Sequence, residues 1–456
     1  MGRSIFTGFA CERRASQTLS KHFRSIKSLV LAAVAAASMW FYVNGILRAH
    51  QIADANVRQV PRGNLSDLYP RWWGTRELLL HHRNPYGRDV TLEIQEGYYG
   101  RRLDPARPND PKDQQGFAYP VYVVFLLAPL VWVPFPALLV AFYWLLIIST
   151  AISVHLWLRV LKWPLGATDV VVCVTLTLGS FAAVQGIKLQ QLSLLVAALM
   201  AGAVACVAGG HLFVGGALLA LATIKPQLAW GLGAWLLFWA ASDWRNRWRF
   251  VLGFAMVMVL LLAGAEIVLP GWMGMFTDAV GRYHNYTQNR SVLDELVPWA
   301  YAGTILAVVA AVASATVLWR QRNVVSSATG LERAAALALA LTVLVVPMYA
   351  PYNHVLLLPA ILVLVRDRII FFSRSRGVRF LYLAGTVALV WQWIASLGLS
   401  AACLFVSRTW ALNRWQWPFL ATFALPVVVF ALILLDTIFR GQPGNLERSL
   451  FRKAAT

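Results

Sequence analysis

Residues 250–268 read FVLGFAMVMVLLLAGAEIV, a run of 19 residues in which Glu266 is the single charged side chain. A helix needs about 20 mostly apolar residues to cross the hydrocarbon core of a bilayer. Three arginines, at positions 245, 247 and 249, stand directly before this run. Such a pattern is typical of a transmembrane helix with one basic flank.

The rest of the chain repeats this pattern. Of its 456 residues, 59% are hydrophobic and 13% are charged, whereas soluble domains are about half apolar and a quarter charged. This composition excludes a soluble, disordered or small secreted protein. Apolar stretches predict an all-α polytopic bundle of about 12 transmembrane helices, in one domain over 28–439: 28–48, 137–158, 169–184, 190–208, 212–224, 227–241, 250–268, 297–318, 334–349, 352–366, 380–403 and 418–439.

The formal net charge of +20 is concentrated between the apolar stretches and at the termini. Basic residues retained in cytoplasmic loops set the orientation of membrane proteins. An even number of spans then places two basic segments, 1–27 and 440–456, in the cytoplasm, and the plasma membrane is the expected location. Nucleic-acid binding is not expected, because no soluble basic face is present to carry it.

The first loop, 49–116, differs from the others because nine acidic residues are balanced by ten Lys and Arg. We therefore expect it on the extracytoplasmic side, and its length indicates a functional role. Within it, 68–81 reads as an amphipathic helix whose Leu68, Trp72, Leu78 and Leu79 could rest on the membrane surface. The proline-rich segment 117–133 could cross the membrane or lie at its outer face. Charge placement favours an interfacial or re-entrant segment.

Two charged residues are candidates for chemistry. Asp67 follows the first span and could act as a general base towards a hydroxyl, or it could cap the next helix. Lys225 stands before Pro226 inside apolar sequence, where a charge is costly. Its ammonium could bind an anion at a break between two half-helices, or it could extend to the membrane surface.

Three polar segments allow both a functional and a structural interpretation. Asn84-Pro-Tyr86-Gly87 could shape a sugar pocket or form a plain turn. The segment Gln185-Gly-Ile-Lys-Leu-Gln190-Gln191 could bind sugar hydroxyls and a phosphate, or form a solvated hairpin. His354 could donate to a phosphate or share in proton transfer, although a lone histidine at a helix end is also a common structural feature.

If these residues meet on one side of the membrane, a carboxylate would face one or two cations. The carboxylate could activate a nucleophile, and the cations could stabilise a departing phosphate. This arrangement suits transfer of a group from a lipid phosphate. No Walker loop, HExxH or GxSxG motif is present, and no carboxylate pair indicates a metal. Neither a metal nor a cofactor is expected.

At these residues the sequence resembles the polyprenyl-phosphate-dependent glycosyltransferases of the GT-C fold, and most closely glycosyltransferase family 87, a mannosyltransferase-like group. The likeness covers about 60–365. The motifs that carry it are short, and their order and spacing matter most: Ser66-Asp67-Leu68-Tyr69, Asn84-Pro-Tyr86, Ala118-Tyr119-Pro120 with Pro129-Leu130, the segment from Gln185 to Gln191, the segment from Gly215 to Pro226, and Pro351 to His354.

The resemblance implies a GT-C-like bundle with an extracytoplasmic active site. It implies that Asp67 is the base for an acceptor hydroxyl and that Lys225 and His354 bind the donor phosphate. The donor would be a polyprenyl-phosphate hexose, mannose in many members, and the acceptor a lipid or glycan. Substrate-binding candidates within these motifs are Asn84, Tyr86, Tyr119, Gln185, Gln190, Gln191 and Tyr352. Which glutamine corresponds to the family's own stays open.

Two other functions fit the composition. About 12 spans with inner termini is a common plan of secondary transporters, although the two halves of this chain show no correspondence. A non-catalytic lipid-binding scaffold would keep the fold without needing Asp67. Solute transport would favour the first alternative, and binding of a lipid-linked sugar without transfer would favour the second.

Overall fold

The computed structural model describes residues 25–440 except 61–65, 105, 288–289, 298, 300, 324, 326–329 and 348. Within these residues the protein is helical and contains no β-strand, as the predicted all-α class requires. The basic segments predicted at 1–27 and 440–456 lie outside the described residues, apart from 25–27 and Arg440.

The first half of the described chain contains ten helices. In order they are α1 (Ser25–Arg58), α2 (Tyr69–His81), α3 (Arg88–Tyr99), α4 (Val123–Leu127), α5 (Phe135–Val160), α6 (Ala167–Leu178), α7 (Phe181–Lys188), α8 (Leu192–Ala208), α9 (Leu212–Ala222) and α10 (Pro226–Ser242). Helix α1 contains one π-helical segment, at Tyr42–Leu47. Of these ten helices, α2 and α10 contribute residues to the cavity described below.

The second half contains α11 (Trp244–Val268), α12 (Trp272–Thr287), α13 (Val292–Leu296), α14 (Ala302–Gln321), α15 (Leu331–Val345), α16 (Leu358–Arg366), α17 (Arg368–Phe372), α18 (Arg376–Phe405), α19 (Arg408–Leu412) and α20 (Ala424–Arg440). A 3-10 turn, Pro351–Leu357, leads into α16.

Six helical stretches of the described chain are long and apolar enough to cross a membrane. They are Ser25–Arg58, Phe135–Val160, Trp244–Val268, Ala302–Gln321, Arg376–Phe405 and Arg408–Arg440. A seventh arises if α6 and α7, which are bent by 58° at their break, form one span. The expected number of about 12 spans is therefore not confirmed. Several of the predicted stretches form helices shorter than the roughly 20 residues a span needs, such as α9 with 11 and α15 with 15.

The centre of the bundle is built from these shorter helices. In α15, 12 of the 15 residues are buried, and most of them are Ala or Leu. Helices α9 and α11 approach closely because each places a glycine against the other's backbone. A Cβ at Gly216 would overlap the Phe250 carbonyl, and one at Gly253 would overlap the Phe213 carbonyl. Glycine is the residue that allows such a contact between helix backbones.

The first loop is shorter than expected, and the helix within it packs against the protein rather than against the membrane surface. Helix α1 continues to Arg58 rather than ending near residue 48. The helix predicted at 68–81 forms as α2, but its Leu68 and Trp72 are buried in the protein core and do not rest on a membrane surface. The Trp72 ring lies 5.2 Å from that of Phe135, at the start of α5. The apolar side chains of α2 thus pack against another helix of the same chain.

Segment 117–133 forms only α4 and a 3-10 turn at Ala128–Leu130. Neither is long enough to cross a bilayer. Helices α12 and α13 lie between the long apolar helices α11 and α14. Helix α12 matters most for function, because it lies over the cavity described below.

A network of ion pairs joins three helices at the N-terminal end of α15. Arg333 contacts Asp436 of α20 at 3.0 Å and Asp367 at 2.9 Å, and Arg440 contacts the same two carboxylates. Arg366 also pairs with Asp367 at 2.8 Å. Helix α15 rises about 22 Å over its length, so this network lies far from the residues that follow its C-terminus.

Candidate active site

A cavity of about 460 Å³ lies where the first loop meets the breaks between the central helices. Its lining includes polar residues from six separate parts of the chain. The lining residues used below are Asp67, Arg71, Asp113, Gln115, Gly116, Ala118, Tyr119, Gln191, Lys225, Tyr283 and Tyr352. The cavity therefore brings together residues that are up to 285 positions apart in sequence.

Asp67 stands immediately before α2 and is held by two contacts with the α7–α8 turn. Its backbone N–H donates to the Leu189 carbonyl at 3.0 Å, and its carboxylate Oδ2 accepts from the Gln191 side-chain amide. Within the described residues no side chain caps α2. The alternative interpretation of Asp67 as a helix cap is therefore wrong, and the carboxylate belongs to the cavity.

Lys225 occupies the break between α9 and α10 and is 5% exposed. Its ammonium donates to Gln191 Oε1 at 2.7 Å and to Ser193 Oγ at 2.8 Å. The Tyr119 and Tyr352 ring centroids lie 5.7 and 5.4 Å from Nζ. The side chain is thus bound inside the protein, and the alternative in which it extends to the membrane surface is wrong.

Gln191 connects the acid to the cation. Its amide nitrogen donates to Asp67 while its amide oxygen accepts from Lys225, so both ends of one side chain are used. The turn that presents it requires Gln190 in the left-handed region, with φ 49°. Ser193 extends the chain of hydrogen bonds to Asn353 Oδ1 at 2.9 Å.

Arg71 is a second cation in this cavity that sequence reasoning missed. It lies four residues after Asp67 in α2, and its guanidinium carbon is 4.3 Å from the Tyr119 ring centroid. Burial raises the pKa of Asp67 above its usual value, while the positive charges of Arg71 and Lys225 oppose that rise. No sequence pattern distinguished Arg71 from the other basic residues of the loop.

Asp113 is a second carboxylate in the cavity, and it also went unpredicted. Gln115 donates to both of its oxygens at 2.9 Å, from the backbone N–H to Oδ1 and from the side-chain amide to Oδ2. Burial raises the pKa of Asp113, whereas the charge of Arg71 acts in the opposite direction. Asp113 is therefore already held on both oxygens within its own loop.

His354 does not line this cavity. It lies in the 3-10 turn Pro351–Leu357, where successive side chains point about 120° apart. Tyr352 and Asn353 therefore face Lys225 and Ser193, while His354 lines a separate, largely apolar cavity of about 290 Å³. The expected convergence of Asp67 with two cations is present for Lys225 and absent for His354.

The remaining predicted residues lie around the cavity rather than in it. The Tyr86 hydroxyl donates to the Tyr119 carbonyl at 2.6 Å, and Asn84 forms the turn that presents Tyr86. Gln190 donates its amide to the Ile187 carbonyl at 3.1 Å. Gln185 lies in α7, and no hydrogen-bond partner of its side-chain oxygen is found in the described part of the chain. Of the three glutamines, Gln191 is the one that lines the cavity.

In the described part of the chain no three His, Cys, Asp or Glu side chains come together as a metal site. The charged groups of the cavity are two carboxylates and two cations. This set can accept a proton and bind an anion in the same enclosed space.

Comparison with known proteins agrees with this chemistry. The family model for glycosyltransferase family 87 matches residues 117–347, about half of the chain. The matched part includes Tyr119, Gln191 and Lys225, whereas Asp67 and Tyr352 lie outside it. Comparisons with curated proteins and with solved structures give no significant match.

Proposed function

The chain belongs to glycosyltransferase family 87, and we propose that it transfers a hexose, mannose first among the candidates, from a polyprenyl-phosphate sugar to an acceptor hydroxyl. The acceptor is a lipid or a glycan. The observation that carries this proposal is that a single side chain, Gln191, holds Asp67 and Lys225 in one cavity. A sugar transfer from a lipid phosphate needs both a base and a cation near the leaving phosphate.

Asp67 is the proposed base. A carboxylate with a raised pKa accepts a proton more readily than an ordinary aspartate, and burial raises this one. Oδ2 already accepts from Gln191, so we assign the proton transfer to Oδ1. The alternative carboxylate, Asp113, has both oxygens held by Gln115.

Lys225 is the proposed ligand of the donor phosphate. An ammonium has three N–H donors, and two of them are directed to Gln191 and Ser193. The Tyr119 side chain also forms a hydrogen bond with this ammonium, and we assign a phosphate oxygen to that third position when the donor binds. Arg71 supplies a second positive charge, and its planar guanidinium suits a phosphate. The cationic pair in this proposal is therefore Lys225 with Arg71, in place of Lys225 with His354.

The bonds change in one displacement. The acceptor hydroxyl gives its proton to Asp67 as its oxygen forms a bond to the anomeric carbon of the donor sugar. The bond from that carbon to the phosphate oxygen breaks, and its electron pair leaves with polyprenyl phosphate. Lys225 and Arg71 stabilise the negative charge of the leaving group. Attack opposite the leaving group inverts the anomeric centre.

The aromatic and apolar surroundings support a lipid-linked sugar. Tyr119 and Tyr352 flank the ammonium, and we assign their rings to the apolar face of the sugar. His354, two residues beyond Tyr352, lines a largely apolar cavity, and we assign the hydrocarbon chain of the donor to this surface. A soluble nucleotide sugar would have no use for such a surface.

We place the site on the extracytoplasmic side of the plasma membrane. The ion-pair network at the N-terminal end of α15 is rich in arginine, and basic groups favour the cytoplasmic face. Residues 346 and 347, which follow α15, line the Asp67 cavity at the other end. The two termini are accordingly assigned to the cytoplasm.

The test is transfer by purified full-length protein in proteoliposomes. Polyprenyl-phosphate mannose, polyprenyl-phosphate glucose and GDP-mannose are supplied in turn with a membrane lipid and glycan extract as acceptor. Consumption of one lipid-linked sugar, with a product of inverted anomeric configuration, supports the proposal. Uptake of labelled solute without transfer would show a transporter, and binding of the lipid-linked sugar without turnover would show a scaffold.

A further inference from the structure

A second polar cavity lies beside the first and is larger, with a volume of about 590 Å³. It opens between α3 and α12. Its polar lining residues include Tyr86, Arg88, Gln114, Arg282, Asn285 and Tyr286. None of these residues acts as the proposed base or contacts the donor in the reaction proposed above.

The charge of this second cavity is unbalanced. Arg88 and Arg282 are its charged lining residues, and no acidic residue lines it in the described chain. Neither arginine forms an ion pair with a described carboxylate. Arg282 makes one long contact, 3.4 Å, to the Tyr86 carbonyl.

The nearby carboxylates are already in use. Arg83 contacts Glu77, Asp89 and Glu93 at 2.7, 2.9 and 2.7 Å. Asp89 therefore pairs with Arg83 although it is the direct neighbour of Arg88. Arg88 and Arg282 are both exposed, and they line an open polar cavity whose nearby anions are bound elsewhere. Two cations without carboxylate partners on one cavity are an arrangement that suits an anion.

The two cavities share a thin wall. Gly116 and Ala118 line both of them. Helix α12 also lines both, with Tyr283 on the side of the first cavity and Arg282 on the side of the second. A Cβ added to Gly116 would meet only Thr91 Oγ1, at 3.9 Å, so the space above this glycine is open.

We propose that the second cavity binds the acceptor, and that the acceptor carries a phosphate group. Arg88 and Arg282 bind this phosphate, and the amides of Gln114 and Asn285 bind sugar hydroxyls. An acceptor hydroxyl then reaches Asp67 across Gly116. This inference rests on the proposed transfer reaction for its role, although the phosphate site itself does not depend on that reaction.

The phosphate could belong to a lipid head group or to a phosphorylated glycan, so two probes are used. Mannose 6-phosphate is titrated against the protein in detergent, with mannose as the neutral control. Binding of the lipid head group is measured with phosphatidylglycerol nanodiscs, and phosphatidylcholine nanodiscs serve for comparison. Binding of mannose 6-phosphate indicates a glycan phosphate. Preferential binding of phosphatidylglycerol indicates a lipid head group.

The variants are Arg88→Gln, Arg282→Gln and the double variant, with Arg107→Gln as a control. Arg107 is exposed, pairs with Asp104 in the same loop and lines neither cavity. Each single change should weaken binding of the responsive probe by about tenfold or more, because a hydrogen bond to a charged group is lost. The control should bind as the wild type. Failure of the wild type to bind either probe, or equal binding by the double variant, overturns the proposal.

A second variant tests the passage between the cavities. Gly116→Leu fills the space above the shared wall and should reduce transfer of labelled mannose to the membrane extract. Unchanged transfer would overturn the proposed route. These failures are distinct from failure of the transfer reaction, because probe binding is measured without a donor and Asp67→Asn should leave it unchanged.

Discussion

Replacing Asp67 by Asn separates the chemical role of this residue from its structural role. Asn has nearly the same shape, and its amide oxygen can accept the Gln191 hydrogen bond that Asp67 Oδ2 accepts now. The link from Gln191 to Lys225 is then preserved. What the variant loses is the ability to take a proton from a hydroxyl.

The expected magnitude follows from that loss. General-base assistance contributes about 10²–10⁴-fold in rate, which corresponds to roughly 2.7–5.4 kcal/mol in the activation barrier. The structural cost is smaller, because a charge-assisted hydrogen bond is exchanged for a neutral one, with a difference of about 1 kcal/mol. Donor binding should not weaken, because the change removes a negative charge from a cavity that receives a phosphate.

The assay is mannose transfer in proteoliposomes under single-turnover conditions, together with thermal unfolding in detergent. Asp113→Asn is the matched comparison, since Asp113 lines the same cavity but has both oxygens bound by Gln115. Asp104→Asn controls for an exposed carboxylate of the same loop. We expect a large loss of rate for Asp67→Asn and much smaller losses for the other two.

A rate for Asp67→Asn within tenfold of the wild type, with normal folding, would refute the assignment of the base. If Asp113→Asn instead showed the large loss, the base would be the other carboxylate and the hydrogen-bond argument would be wrong. A large loss in unfolding temperature for Asp67→Asn would show that its main role is structural.

Three further changes have defined outcomes. Lys225→Gln should raise the donor KM by about tenfold or more through the loss of a charge-assisted contact with phosphate, and an unchanged donor KM would exclude that contact. Arg71→Gln should move the acid limb of the kcat/KM profile to higher pH: Asp67 must be ionised to act, activity falls as pH falls through its pKa, and Arg71 lowers that pKa. An unmoved or lowered limb would contradict this coupling. Asp436→Asn should lower the free energy of unfolding by about 3 kcal/mol, because Arg333 loses a buried partner, while transfer per folded molecule stays unchanged. An unaltered unfolding temperature in detergent would show that the network is dispensable.

Sequence alone predicted the helical class and the pairing at the heart of the site. Asp67 and Lys225 were identifiable because a membrane chain seldom keeps a charge near its apolar runs without use. The number of spans was not predictable in the same way, because apolar composition does not distinguish a helix that crosses the bilayer from a short one buried among other helices. Helix α15, nearly all apolar and only 15 residues long, shows the difficulty.

Other parts of the site depend on geometry that sequence patterns do not contain. Arg71 was one of ten basic residues in a balanced loop, and only the fold shows that it faces the cavity. The direction of His354 follows from the 3-10 turn, which places neighbouring side chains on different sides. The surface assigned to Leu68 and Trp72 was wrong because both belong to the protein core, where the ring next to Trp72 is that of Phe135, more than 60 residues away.

The glycine contact between α9 and α11 has a consequence for how substrates reach the site. With backbone against backbone at Gly216 and Gly253, no side chain separates these two helices where they cross, and we expect them to move as one unit. Lys225 lies three residues after the end of α9, directly before α10, so its backbone is anchored to this pair of helices. Helix α12 lines the same cavity and is largely exposed, and we expect the movement that admits a donor and releases a product to occur there. The α9–α11 pair thus holds the cation in a fixed position, while α12 provides the movable side of the cavity.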